Sequence, residues 1–199
     1  PVLVIPPDGW SPQIEGSTGA GPWCGDEVSP LRLLHRDDDL IVIDKPPGLL
    51  VHRSRLNAHE HDTVMSRLWR ELGSSAPSGL TPVHRLDKGT SGLLVLACHA
   101  EAARWLSAGF EQGRVRKRYL ALVRGWPAEQ LSVDHALARD PELPSTGQVL
   151  LPAQTQFRRL GRVEWAFGVD GRYASSRYAL VAAEPATGRR HQIRRHLKH

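Results

Sequence analysis

The chain predicts an α+β fold: a mixed, largely antiparallel sheet flanked by helices and loops. Three observations carry that expectation. Short apolar runs rich in Val, Ile and Leu outnumber the segments of helical period. Gly, Pro and Asp punctuate those runs at close intervals. No internal repeat and no regular strand–helix alternation is present.

The elements follow in order. Residues 1–29 are rich in Gly, Pro and Ser without sustained periodicity, and read as an irregular or disordered leader. A single domain over residues 30–199 is expected after it. Residues 40–43, Leu-Ile-Val-Ile, predict a buried strand stopped by Lys45-Pro46-Pro47-Gly48. Asp62 or Thr63 can cap a helix running to Leu72, with Val64, Leu68 and Leu72 on one face and Gly73 ending it. Residues 80–86 and 92–98 predict strands, and residues 100–112 an amphipathic helix presenting Ala103, Leu106 and Phe110. A strand is expected over residues 119–123. After a loop near residues 141–147, further strands are expected near residues 154–157, 162–167 and 176–182. A final helix starts near Arg190. The chain begins with Pro1 rather than Met and ends at His199 in that helix, so it reads as a piece of a longer protein.

The 199 residues carry a formal charge of +5 and a pI near 9.7, a balance that favours a polyanionic partner. Clustering sharpens this: Arg114, Arg116, Lys117 and Arg118 form one knot, and Arg189, Arg190, Arg194 and Arg195 another. No run of apolar residues is long enough to span a membrane, and nothing resembles a signal peptide. Cys24 and Cys98 have no paired spacing, which points to a reducing, cytoplasmic setting. His52, His59 and His61, like His191, His196 and His199, lack the spacing of a common zinc motif, so no metal is expected.

The most informative segment runs from Pro82 to Leu96. Asp87 falls in a tight polar turn between an apolar strand and a buried one, where rigid neighbours can fix a functional group. The same residues also suit an Asx-type turn in which the aspartate only caps its own backbone. A protein-kinase catalytic loop is excluded. Leu86 separates Arg85 from Asp87, no Asn follows at the required offset, and no Gly-rich phosphate loop precedes it.

His84-Arg85-Leu86-Asp87, followed by Thr90-Ser91-Gly92-Leu93-Leu94, resembles the catalytic motif of the RluA-type pseudouridine synthases. Three further segments resemble that family in the same order: Lys45 to His52, Gln112 to Gly125, and Thr187 to Leu197. The resemblance implies the pseudouridine synthase catalytic fold, and it implies isomerisation of uridine to pseudouridine in RNA. It assigns Asp87 as the essential carboxylate, Arg194 as its basic partner and Tyr119 as the ring that stacks on the target base. Arg85 would reach into the gap left by the extracted base, and His84 would support the turn. Arg116, Lys117, Arg118, Arg189 and Arg190 would hold the RNA backbone. The reaction rearranges atoms without redox change, so no cofactor is implied. The segments 48–54, 109–112, 117–119 and 190–197 are most similar to family members acting on tRNA, which is expected as partner ahead of ribosomal RNA. A monomer is expected, as is more of the catalytic domain beyond His199.

Overall fold

The computed structural model describes residues 30–53, 59–168 and 173–198. The leader expected over residues 1–29 lies outside the described residues. The elements form two four-stranded sheets, a two-stranded hairpin and three helices among those residues.

The first sheet has the order β1-β2-β4-β3, built from β1 (Arg32–Arg36), β2 (Leu40–Lys45), β3 (Thr81–Pro82) and β4 (Gly92–Ala97). Strand alternation along β2 sends Ile41, Ile43 and Lys45 to the buried face. Leu94 and Leu96 of β4 join them, and α1 (Val64–Leu72) closes the core with Val64 and Leu68. Thr63 caps α1 as expected. Its hydroxyl accepts from Ser66 N at 3.1 Å while Ser66 Oγ accepts from Thr63 N at 2.8 Å, a reciprocal cap. α2 (Ala100–Glu111) spans nearly the expected range.

The second sheet, β5-β10-β9-β6, comprises β5 (Tyr119–Arg124), β6 (Gln130–Asp134), β9 (Gln154–Trp165) and β10 (Ser176–Pro185). β7 (Leu137–Ala138) and β8 (Leu150–Leu151) form the hairpin. α3 (Gln192–His196) lies against this second sheet, with Ile193 and Leu197 packed on Ala121, Phe157, Val181 and Ala183. Tyr119, at the start of β5, packs against both cores and so joins the two sheets.

The α+β class holds, and four details differ from expectation. The sheets are not mixed: among the described residues every strand pair is antiparallel, and the one parallel contact is an isolated bridge between Leu50 and Thr63. The strand expected over residues 80–86 shrinks to Thr81–Pro82, because Pro82 lacks an N–H and His84 Nε2 takes the Val95 N–H at 3.0 Å. The strands expected at 154–157 and 162–167 are one, β9. Its middle, Arg158 to Gly161, hides the continuity because the register against β10 shifts there and the apolar alternation breaks. β1 gave no sequence signal because all five of its residues are exposed at the sheet edge.

Leu94 is fully buried between β2 and the helices, so Leu94→Ala should lower unfolding free energy by about 3 kcal/mol. Urea titration followed by circular dichroism checks it.

Candidate active site

The loop between β3 and β4 carries Asp87 and is held along its whole length. Leu86 is buried in the first core. His84 bonds the backbone of β4 and stacks on Phe110 at 4.5 Å between ring centroids. Thr90 N donates to Asp87 O at 2.9 Å, closing the turn. Lys88 O accepts from Gly48 N at 2.7 Å and from the Lys45 ammonium at 3.3 Å. That ammonium also donates to Pro46 O at 2.8 Å and Leu49 O at 2.7 Å, so three carbonyls from two loops converge on it. The Lys88 side chain reaches Glu60 at 2.7 Å. Gly48 has φ 83°, a left-handed geometry that suits glycine and lets its N–H face Lys88. The bend expected at Asp87 is present, but its backbone carbonyl closes it and its side chain makes no capping bond among the described residues, which corrects the Asx-type reading.

What it presents is a carboxylate on a cleft of about 750 Å³. Asp87 is 23 % exposed there. Both sheets line the cleft: Arg85 and Asp87 come from the first sheet's loop, Tyr119 and Ala121 from β5 of the second. The segment leading into α3 supplies the far wall, including His191 and Arg194. The volume lies in the range of pockets that take a nucleoside-sized group. The sequence-predicted residues His84, Arg85, Asp87, Lys117, Tyr119, Arg189, Arg190 and Arg194 all line it.

The cationic residues divide sharply by what they already hold. Arg190 is tied to Asp140 at 3.3 Å and to Glu142, both in the turn joining β7 to β8. Arg189 Nε donates to Pro152 O at 2.9 Å, and Arg195 to Ala138 O at 2.9 Å. Lys117 Nζ donates to Thr187 O at 3.1 Å, and Arg118 pairs with Glu184 at 2.8 Å. Among the described residues, the side chains of Arg85, Arg116 and Arg194 make no hydrogen bond or ion pair. Lys117, Arg118, Arg189 and Arg190 thus each commit at least one donor to fixing α3, the hairpin or the sheet edge.

The expected Asp87–Arg194 pair is not formed either. The group within ion-pair distance of Asp87 is His191, whose Nε2 lies 3.7 Å from Oδ1. Sequence reading considered His191 only as a metal ligand. Its placement depends on a backbone turn that residue type alone does not reveal. Among the described residues, no three His, Cys, Asp or Glu side chains gather as a metal site needs.

Burial sets the titration of the surrounding groups. It pushes His84 down to about 4, consistent with a neutral ring accepting from Val95 N. It lowers Lys45 to about 8, with Asp87 opposing the shift, so the ammonium persists at neutral pH. It raises the Tyr119 hydroxyl, and Asp87 raises it further. His191 is lowered by burial, against the pull of Asp87 and with the help of Arg194, Arg190 and Arg85.

Residues 39–199, which include every cleft residue, match the RNA pseudouridylate synthase family. The chain belongs to that family. It is 43% identical over 173 residues to tRNA pseudouridine synthase C of Haemophilus ducreyi, covering 85% of this chain and 69% of that protein. It is 41% identical over 180 residues to tRNA pseudouridine synthase C of Salmonella typhi, covering 85% of this chain and 65% of that protein. The chain thus spans about two thirds of the length of these relatives. Among solved structures it superimposes on human RNA pseudouridylate synthase domain containing 1, with TM-score 0.65 and 27% identity. That match covers 86% of this chain and 66% of the human one. The human domain containing 4 protein gives TM-score 0.62 and 29% identity, over 84% of this chain and 63% of the other.

The buried neutral His84 predicts an acid limb in stability. The unfolded chain takes up its proton near the ordinary 6.5, while the folded chain does so only near 4. The folded state therefore loses stability as pH falls through that window, by about 3 kcal/mol at pH 4. His84→Leu should be less stable at pH 7 and should show a shallower fall between pH 6.5 and 4, compared by denaturant midpoints.

Proposed function

We propose that this protein isomerises a uridine of tRNA to pseudouridine, with Asp87 as the essential carboxylate. One observation carries the reading: a single aspartate, fixed by a bolted loop, faces a cleft shared with an aromatic ring and an unpaired arginine. The names of the relatives supply the RNA class. Residues 30–199 contribute the catalytic domain, and the cytoplasm is the setting that fits a tRNA substrate.

The chemistry follows from the parts. Pseudouridine formation breaks the glycosidic bond from ribose C1′ to uracil N1, turns the base and joins C1′ to C5. A carboxylate at an oxocarbenium-like centre has precedent in glycoside hydrolysis, where a second carboxylate serves to bring in water. Asp87 has no carboxylate partner in its motif, in keeping with a reaction that water must not finish. The uridine must leave its stack to reach the cleft. Arg85 stands exposed two residues from Asp87 and suits the space a flipped base vacates. Tyr119 supplies a half-buried ring whose stacking on a base is worth about 1–3 kcal/mol. Arg194 completes the cationic wall.

Asp87→Asn should abolish tritium release from tRNA labelled at uracil C5 while leaving RNA affinity within about threefold. Release from ribosomal RNA instead of tRNA would redirect the substrate, and full release by the variant would remove Asp87 from its role. The salt dependence of tRNA binding should separate the arginines. Arg85→Ala and Arg116→Ala should each reduce the slope of log affinity against log salt by about one ion. Arg190→Ala should leave that slope unchanged and lower thermal stability, because it breaks the links to Asp140 and Glu142.

A further inference from the structure

Among the described residues, His191 is the only non-glycine residue with positive φ, at 54° with ψ 27°. Left-handed backbone disfavours a side chain with a Cβ, so a residue held there is held by its surroundings. Those surroundings are on the next residue. The Gln192 side-chain carbonyl accepts from Thr187 Oγ1 at 2.8 Å and Arg189 N at 2.9 Å. Its amide donates to Gln154 O at 3.0 Å and Thr155 Oγ1 at 2.9 Å. Gln192 is buried, and the four bonds leave its main chain no freedom to relax. The left-handed turn just before it swings the His191 imidazole into the cleft instead of over the start of α3, where it makes no capping bond.

The imidazole has no hydrogen-bond partner among the described residues, and the polar atom it meets is Asp87 Oδ1 at 3.7 Å. That gap exceeds a hydrogen bond by less than 1 Å. The ring is 26 % exposed, enough for substrate entry to reshape its surroundings. Arg194, Arg190 and Arg85 face it together with Asp87, and burial with the three guanidinium groups favours the neutral ring.

We infer that His191 is a positioning residue for Asp87, its imidazole closing on Oδ1 when the uridine fills the cleft and leaving Oδ2 to face the substrate. An imidazole N–H orients the carboxylate through one hydrogen bond, whereas an arginine at the same place would add a full opposite charge. This inference rests on the reading under Proposed function.

Two variants of the full-length protein separate the ring from the backbone. His191→Gly removes the imidazole and relieves the left-handed turn. His191→Gln returns an N–H donor of similar reach. The glycine variant should melt at the wild-type temperature or above it, with kcat for tritium release from tRNA reduced about tenfold to a hundredfold, as expected of a misplaced reacting group. KM should stay within about twofold, and His191→Gln should recover most of the lost kcat. Wild-type kcat in the glycine variant, a loss confined to KM, or a loss accompanied by a lower melting temperature would each overturn the inference. A second measurement does not depend on turnover: the 15N signal of His191 Nε2 should move in Asp87→Asn, and an unmoved signal would overturn the pairing. A wild-type protein inactive on RNA whose His191 signal still moves would overturn the functional reading while upholding the pair.

Discussion

The buried ammonium of Lys45 is the constraint on which the site depends. Strand alternation along β2 delivers Lys45 to the same inward face as Ile41 and Ile43, where a charge is costly unless every proton finds an acceptor. Three carbonyls supply the acceptors, and one belongs to Lys88, the residue after Asp87. Satisfying the lysine therefore fixes the Asp87 loop against the loop that follows β2. An apolar residue at position 45 would fill the core equally well, but it would take the donor from the Pro46 and Leu49 carbonyls and leave the two loops joined through Gly48 N–H to Lys88 O alone.

Tyr119 extends the same logic across the molecule. It packs on the core of the first sheet and on that of the second, and its ring borders the cleft between Asp87 and α3. Movement of one sheet against the other would shift the ring relative to the carboxylate. Under the proposed function, stability and chemistry are coupled through Tyr119, because the spacing between its ring and the carboxylate is set by core packing.

The Asp87 motif was legible in sequence because its parts are contiguous: a turn of Asp, Lys and Gly between apolar runs defines both the bend and the carboxylate. The helices α1 and α2 were legible for the same reason, their caps and apolar faces being local. What was not legible depends on distant partners. Arg190 and Arg118 look like free cations until the fold brings Glu142 and Glu184 to them, 48 and 66 residues away in sequence. The continuity of β9 is masked by a register shift, and β1 by full exposure. His191 is the sharpest case, since its role follows from a left-handed backbone angle imposed by bonds to its neighbour's side chain.

The division among the arginines changes what the net charge means. A count of basic residues treats each as available to phosphate, and two dense knots suggest a broad electrostatic platform. The structure instead spends much of the second knot on internal work. Arg189, Arg190 and Arg195 lash the segment around α3 to the β7–β8 hairpin, and that attachment holds His191 and Arg194 on the wall facing Asp87. These arginines serve the site through geometry. The field at the cleft mouth comes from the few that remain unpaired, Arg85 foremost, which places the attraction for a polyanion next to the carboxylate instead of over the whole surface. Under the proposed function, an RNA drawn to that field arrives with its backbone beside the carboxylate.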